Sequence, residues 1–178
     1  MNLVTRHAYT FEELEVGMEA SFARTIAKAD IIAFADITGD KNPIHLDSRY
    51  AAKTIFKKTI AHGMLTAGYI SAVFGMELPG PGAIYVSQTL NFRAPVREGD
   101  RVVAIVRVVE LYPTKRRARF ECVCSVNGKP VLEGEAVLML PAQSPAKPKT
   151  TPQLLRTATE ICVSEEINAS LATRKNNA

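Results

Sequence analysis

Four segments of alternating apolar and polar residues, Ala83–Phe92, Arg101–Leu111, Arg116–Val126 and Pro130–Leu140, occupy most of the chain from residue 83 to residue 140. A period of two is the pattern of strands that rest one face on a core. Glu98-Gly99-Asp100 turns the chain between the first two segments. Asn127-Gly128 is a strong tight-hairpin signal between the last two. The chain is therefore committed to long antiparallel strands. Glu19 to Ile26 alternates more moderately and is predicted as a further strand.

One apolar helix precedes the four strands, over His62 to Met76. Gly63, Ala67, Ser71 and Gly75 recur every fourth residue in it and form a stripe of small side chains. Such a stripe lets a sheet, another backbone or a ligand chain come close, and Ser71 is its only hydroxyl. Pro79-Gly80-Pro81-Gly82 ends the helix; prolines interrupt it, so it is no phosphate-binding glycine loop. Lys28 to Thr38 is predicted as a second helix, with Ile31, Phe34, Ala35 and Thr38 on one face and Gly39 as its stop. Ser48–Lys53 is predicted as a short helix capped by Asp47 or Ser48, and Phe56–Ile60 as a connector. A buried helix ahead of an antiparallel sheet gives an α+β fold.

Between the second helix and the short one lies Gly39-Asp40-Lys41-Asn42-Pro43-Ile44-His45-Leu46-Asp47. Pro43 lacks an amide hydrogen and pushes Asn42 towards extended geometry, so this stretch is predicted as neither regular helix nor strand. It carries an acid and an imidazole five residues apart on a restricted loop. That is one way to hold proton-transfer groups still. A polar helix-ending turn with a surface Asp and His is the other reading of the same residues.

The 178 residues suit one domain, and 47% hydrophobic content suits a real core. The formal charge is 22 minus 18, or +4, shared evenly between residues 1–140 and 141–178, so no basic patch points to nucleic acid. Thr59 to Leu78 approaches membrane-spanning length, but it is rich in Gly, Ala, Ser and Thr, and a buried helix is expected instead. Cys122 and Cys124 are expected as small core residues on one strand face, with no second pair to complete a zinc site. The odd cysteine count and the lack of a signal peptide fit a cytoplasmic protein. From Pro141 the composition turns to Pro, Ala, Ser, Lys and Thr, so residues 1–140 are predicted as the domain and 141–178 as a linker with a weakly structured or disordered tail.

Taken in order, Gly39-Asp40-Lys41-Asn42-Pro43-Ile44-His45, Ala61-His62-Gly63-Met64-Leu65 and Asn91-Phe92-Arg93-Ala94-Pro95-Val96 with Gly99-Asp100 resemble the MaoC-like family of (R)-specific enoyl-CoA hydratases. The resemblance covers roughly residues 10–140. It implies a hot-dog fold, a long central helix wrapped by an antiparallel sheet. It also implies a homodimer or an assembly of dimers, no cofactor and no metal. The reaction implied is syn hydration of trans-2-enoyl-CoA to (R)-3-hydroxyacyl-CoA, with a short acyl chain expected. By motif, Asp40 and His45 are the catalytic pair, the Gly63 amide binds the thioester oxygen, and Ser71 supports the aspartate. Asn42 is expected to fix the loop and His62 to orient it. Ala27 stands where such sequences often carry a Ser or Thr helix cap, at a cost of about 1 kcal/mol.

The chemistry agrees with those roles. Hydration of a conjugated thioester needs a base for the water, an acid for the α-carbon and donors for charge on the carbonyl oxygen. A carboxylate is a better base when partly withdrawn from water, which the reading expects of Asp40. Gly63 opens the long helix, where amides are unpaired and the dipole is positive. Arg93, Arg97 and the basic run at 115–119 are candidates for phosphates of the acyl carrier, although a solvated strand face is the simpler role for the run. Two other functions are open: a hot-dog thioesterase, disfavoured because no Asp or Glu lies between His62 and Met76, and a non-catalytic acyl-thioester-binding module.

Overall fold

All five predicted strands form, and one of them splits. The computed structural model describes residues 7–141, so Cys162 and the predicted tail beyond Pro141 lie outside the described residues. The elements are β1 (Glu19–Thr25), α1 (Lys28–Thr38), α2 (Pro43–Leu46), α3 (Ser48–Ala51), α4 (Gly63–Met76), β2 (Ile84–Gln88), β3 (Asn91–Phe92), β4 (Arg101–Tyr112), β5 (Arg117–Val126) and β6 (Lys129–Met139). A 3-10 turn at Phe11–Glu13 precedes β1. The sheet runs β1-β4-β5-β6-β2 with every neighbour antiparallel, and β3 also pairs with β6. Asn127 and Gly128 both take positive φ, as the hairpin between β5 and β6 requires.

Alternation builds the core. Val102, Ala104, Val106 and Val108 of β4 and Ala118, Phe120, Cys122 and Cys124 of β5 all point inward and are fully buried. Against them α4 presents Ile70, Val73 and Phe74, and it packs on β1, β4 and β5. The Phe74 ring meets Phe120 edge-on at 4.9 Å. Each such side chain contributes about 1.5–3 kcal/mol by leaving water. No helix among the described residues is long and apolar enough to cross a membrane. A long helix against an antiparallel sheet is the α+β arrangement the sequence predicts.

Three local expectations are corrected. The segment Ala83–Phe92 is two strands, because Thr89 leaves the ladder and bonds Glu135 instead. Gly134 makes room for that crossing: a Cβ there would lie 1.9 Å from the Thr89 carbonyl oxygen. The stretch around Pro43 is helical for one turn. Pro43 opens it at a position where no amide hydrogen is needed, and Asn42 caps it by accepting from Ile44 N at 3.2 Å. The small stripe on α4 is not one face. Four residues advance 40° beyond a full turn, so Ala67 is buried whereas Ser71 and Gly75 are exposed.

Candidate active site

The end of α1, the turn α2 and the start of α4 converge. Gly39 closes α1 in the left-handed region at φ 78°, which turns Asp40 away from the helix axis. The Asp40 carboxylate accepts from Asn42 N at 3.3 Å. His62, the residue before α4, donates from Nε2 to the Asp40 carbonyl oxygen at 3.0 Å. A carbonyl can only accept, so this nitrogen carries the proton. His62 is 2% exposed, and its Nδ1 is buried with no hydrogen-bond partner.

His45 sits on α2 and stacks on His62, ring centroids 3.8 Å apart. Phe34 of α1 lies on His62 at 4.9 Å. The His45 Nδ1 donates to the Ile60 carbonyl oxygen at 2.8 Å. By the same argument the neutral ring keeps its lone pair on Nε2. One polar atom each from Asp40, His45 and His62 lie within 4.8 Å of one another. That spacing lets a single water bridge the acid and an imidazole. The three groups could also hold a metal ion, and ligation by His62 Nε2 would break its bond to Asp40.

A cavity of about 420 Å³ opens beside His45. Gly63, Met64 and Thr66 of α4 form one wall, Phe92 to Val96 another, with Val131 and Leu132 of β6 and Phe56 and Ile60 of the connector. The Gly63 amide has no backbone partner and stands at the N-terminus of a 14-residue helix, aimed where negative charge is stabilised. A Cβ on Gly63 would meet the Phe92 ring at 2.6 Å, so only glycine fits beneath that ring as it stands.

Asp40, Asn42, His45, His62 and Gly63 are thus brought together. Ser71 is not. It is exposed, two turns further along α4 and roughly 12 Å from Gly63 along the axis, with no bond to Asp40. Asp40 is exposed in the single chain, so the expected shielding from water is not supplied by this subunit. Of the small stripe, only Gly63 lines the cavity. Several of the basic candidates are engaged in ion pairs, although Arg93 also lines the cavity. Arg93 pairs with Glu133, Arg116 with Glu12, and Arg119 with Glu110 and Glu135. Arg97 ties down the connector, donating to the carbonyls of Phe56 at 3.0 Å and of Lys58 and Thr59 at 3.4 Å each. Sequence reasoning missed Thr66. Its three-residue spacing from Gly63 puts both on one helix face, and that was the available signal.

The MaoC like domain family matches residues 11–132. A 3-hydroxybutyryl-CoA dehydratase of Methylorubrum extorquens is 56% identical over 138 residues, 78% of this chain and 88% of that protein. An (R)-specific enoyl-CoA hydratase of Rhodospirillum rubrum is 54% identical over 133 residues, 75% of this chain and 92% of that one. Among solved structures, the unliganded R-hydratase PhaJ1 of Pseudomonas aeruginosa superposes with a TM-score of 0.73 at 45% identity, covering 78% of this chain and 89% of that one.

Proposed function

The chain belongs to the MaoC-like domain family, and from that membership we propose its reaction: reversible addition of water to a trans-2-enoyl-CoA to give the (R)-3-hydroxyacyl-CoA. It is a hydro-lyase on a hot-dog fold. The observation that carries the reading is the gathering of Asp40, His45 and His62 within 4.8 Å, beside a cavity that begins at the Gly63 amide.

In this reading Asp40 and His45 hold one water between them. The water oxygen bonds to C3 of the enoyl group and the π electrons move towards the thioester oxygen. The Gly63 amide donates to that oxygen as charge builds. The pair takes a proton from the water and returns one to C2, so one water is added and no proton is gained or lost. Both transfers come from one side, which gives syn addition. His45 takes part through Nε2, the nitrogen that Ile60 leaves free. His62 and Asn42 hold the loop.

The test is the loss of conjugated-enoyl absorbance from crotonyl-CoA, with chiral analysis of the product. Asp40→Asn and His45→Ala should each lower kcat by about 10²–10⁴. Ordinary turnover by both folded variants, or an (S) product, would overturn the reading. A short chain is part of the proposal, supported by the four-carbon substrate in the name of the Methylorubrum relative.

A homodimer belongs to the same reading. β2 lies at the edge of the sheet with Ile84 and Val86 exposed at 52% and 42%. Met64 and Met76 on α4 and Phe92 are about half exposed as well. An unpaired edge beside large apolar side chains is a surface that a second copy of the chain would cover. Such a copy would also shield Asp40.

A further inference from the structure

Phe56 and Ile60 line the cavity, yet the connector that carries them between α3 and α4 is neither helix nor strand. Within it Lys57 takes φ 61°, in the left-handed region. The carbonyls of Phe56, Lys58 and Thr59 receive no backbone amide. Carbonyls of this kind need another donor or water. One guanidinium serves all three. Arg97 Nη2 donates to Phe56 O at 3.0 Å, and Nη1 donates to Lys58 O and Thr59 O at 3.4 Å each. Arg97 is half-buried, does not itself line the cavity, and pairs with no carboxylate among the described residues. It follows Val96, whose carbonyl accepts from Ala61 N at 2.7 Å. The residue held between these two anchors is Ile60. Its carbonyl accepts from His45 Nδ1 at 2.8 Å, and its amide donates to Ile44 O at 3.4 Å.

A neutral imidazole can carry its proton on either ring nitrogen, and the bond that one nitrogen makes sets the state of the other. Ile60 O keeps the proton on His45 Nδ1, and so keeps the lone pair on Nε2. That carbonyl stays in place only as long as the connector does. We propose that Arg97 is a positioning residue for His45: by clamping the connector just ahead of Ile60, it fixes the carbonyl that sets the His45 tautomer. The planar fork of a guanidinium suits the task, because it aims several N–H groups at once in a rigid plane. An ammonium on a flexible stem is a single point charge and cannot hold three carbonyls with the same stiffness. Arg97 touches no reacting atom and acts through the connector alone. Its effect on rate rests on the hydratase reading above.

The test joins kinetics on crotonyl-CoA with nitrogen-15 spectra of the imidazoles, in the wild type, Arg97→Gln and Arg97→Lys. Arg97→Gln should lower kcat about tenfold, the worth of one hydrogen bond, and leave KM within about twofold. Arg97→Lys keeps the charge and loses the fork, so it should fall nearly as far. The signals missing from His45→Ala identify that ring. At about pH 8, above the ordinary imidazole range, His45 should carry its proton on Nδ1 in the wild type and share it between both nitrogens in either variant. An unchanged kcat, or an unchanged His45 tautomer in the folded variants, overturns the proposal. So does a rise in KM at constant kcat that lysine restores, since Arg97 would then be a contact to the phosphates of the acyl carrier. Should Arg97→Gln not fold, Arg97→Lys carries the same two readouts. If the wild type hydrates nothing, the hydratase reading fails, while the tautomer still decides the role of Arg97.

Discussion

His45 and His62 are alike in kind and are set apart by one hydrogen bond each. The bond from His45 Nδ1 to Ile60 O leaves Nε2 free, whereas the bond from His62 Nε2 to Asp40 O fixes the loop that carries the acid. His62→Phe keeps a ring between Phe34 and His45 and loses the donor. It should lower kcat for crotonyl-CoA about tenfold, the worth of one hydrogen bond, with the melting temperature nearly unchanged. Gly63→Ala places a Cβ under the Phe92 ring, where the thioester must approach, and should cost on the order of 10² in kcat/KM. The Cys122 and Cys124 thiols are pushed up to about 12 by burial. At pH 8 both stay protonated, so a thiol reagent should titrate them only after denaturation. At this scale the sequence was legible where residue type and local spacing decide position. Asp40, Asn42 and His45 lie on one constrained stretch, and Gly63 must open its helix after His62. Ser71 is exposed on α4, two turns beyond Gly63, and its expected support of Asp40 is not formed within one subunit.

Helix α1 starts without a capping side chain at Ala27, and Asp30 makes good the loss. Its carboxylate accepts from Ala27 N at 2.9 Å and pairs with Arg24. The backbone bond chiefly holds Asp30 below the usual carboxylate range, with Arg24 assisting and burial opposing. A depressed carboxyl stabilises the fold above its unfolded value near pH 4, and the benefit is lost as pH falls through the folded value. Asp30→Ala should therefore lower the melting temperature by about 3 °C at pH 7, and the gap should close as pH approaches 2. Calorimetric melts across that range would check it. Among the elements, long strands and both long helices were legible because periodicity and caps specify them. The turn α2 was not, since a proline that breaks a helix interior is welcome at its first position. The split of β2 from β3 depends on Gly134 of β6, which lies 45 residues from Thr89 and leaves no local mark.

For the molecule as a whole, the expected dimer surface and the site adjoin. Phe92 and Met64 line the cavity and are also about half exposed. Ile84→Glu with Val86→Glu should turn a dimer into a monomer by light scattering, with the far-ultraviolet spectrum preserved. Activity should fall with it, because Asp40 stays open to water in a lone subunit. Specific activity of the wild type should likewise drop on dilution. A monomeric wild type of full activity would sink both expectations. Nothing in the sequence alone marked this surface, since an edge strand and a central strand read alike until their neighbours are known.

The grip of Arg97 on the carbonyls of Phe56, Lys58 and Thr59 has a consequence for proteolysis. Lys57 and Lys58 lie in this connector and Lys53 just before it, all three exposed, so it offers trypsin several cleavage points. A protease must draw several residues out into an extended strand before it can cut, and here three carbonyls are tied to one guanidinium. The connector should survive as long as that side chain holds it, and Arg97→Gln should be clipped there well before the sheet unfolds.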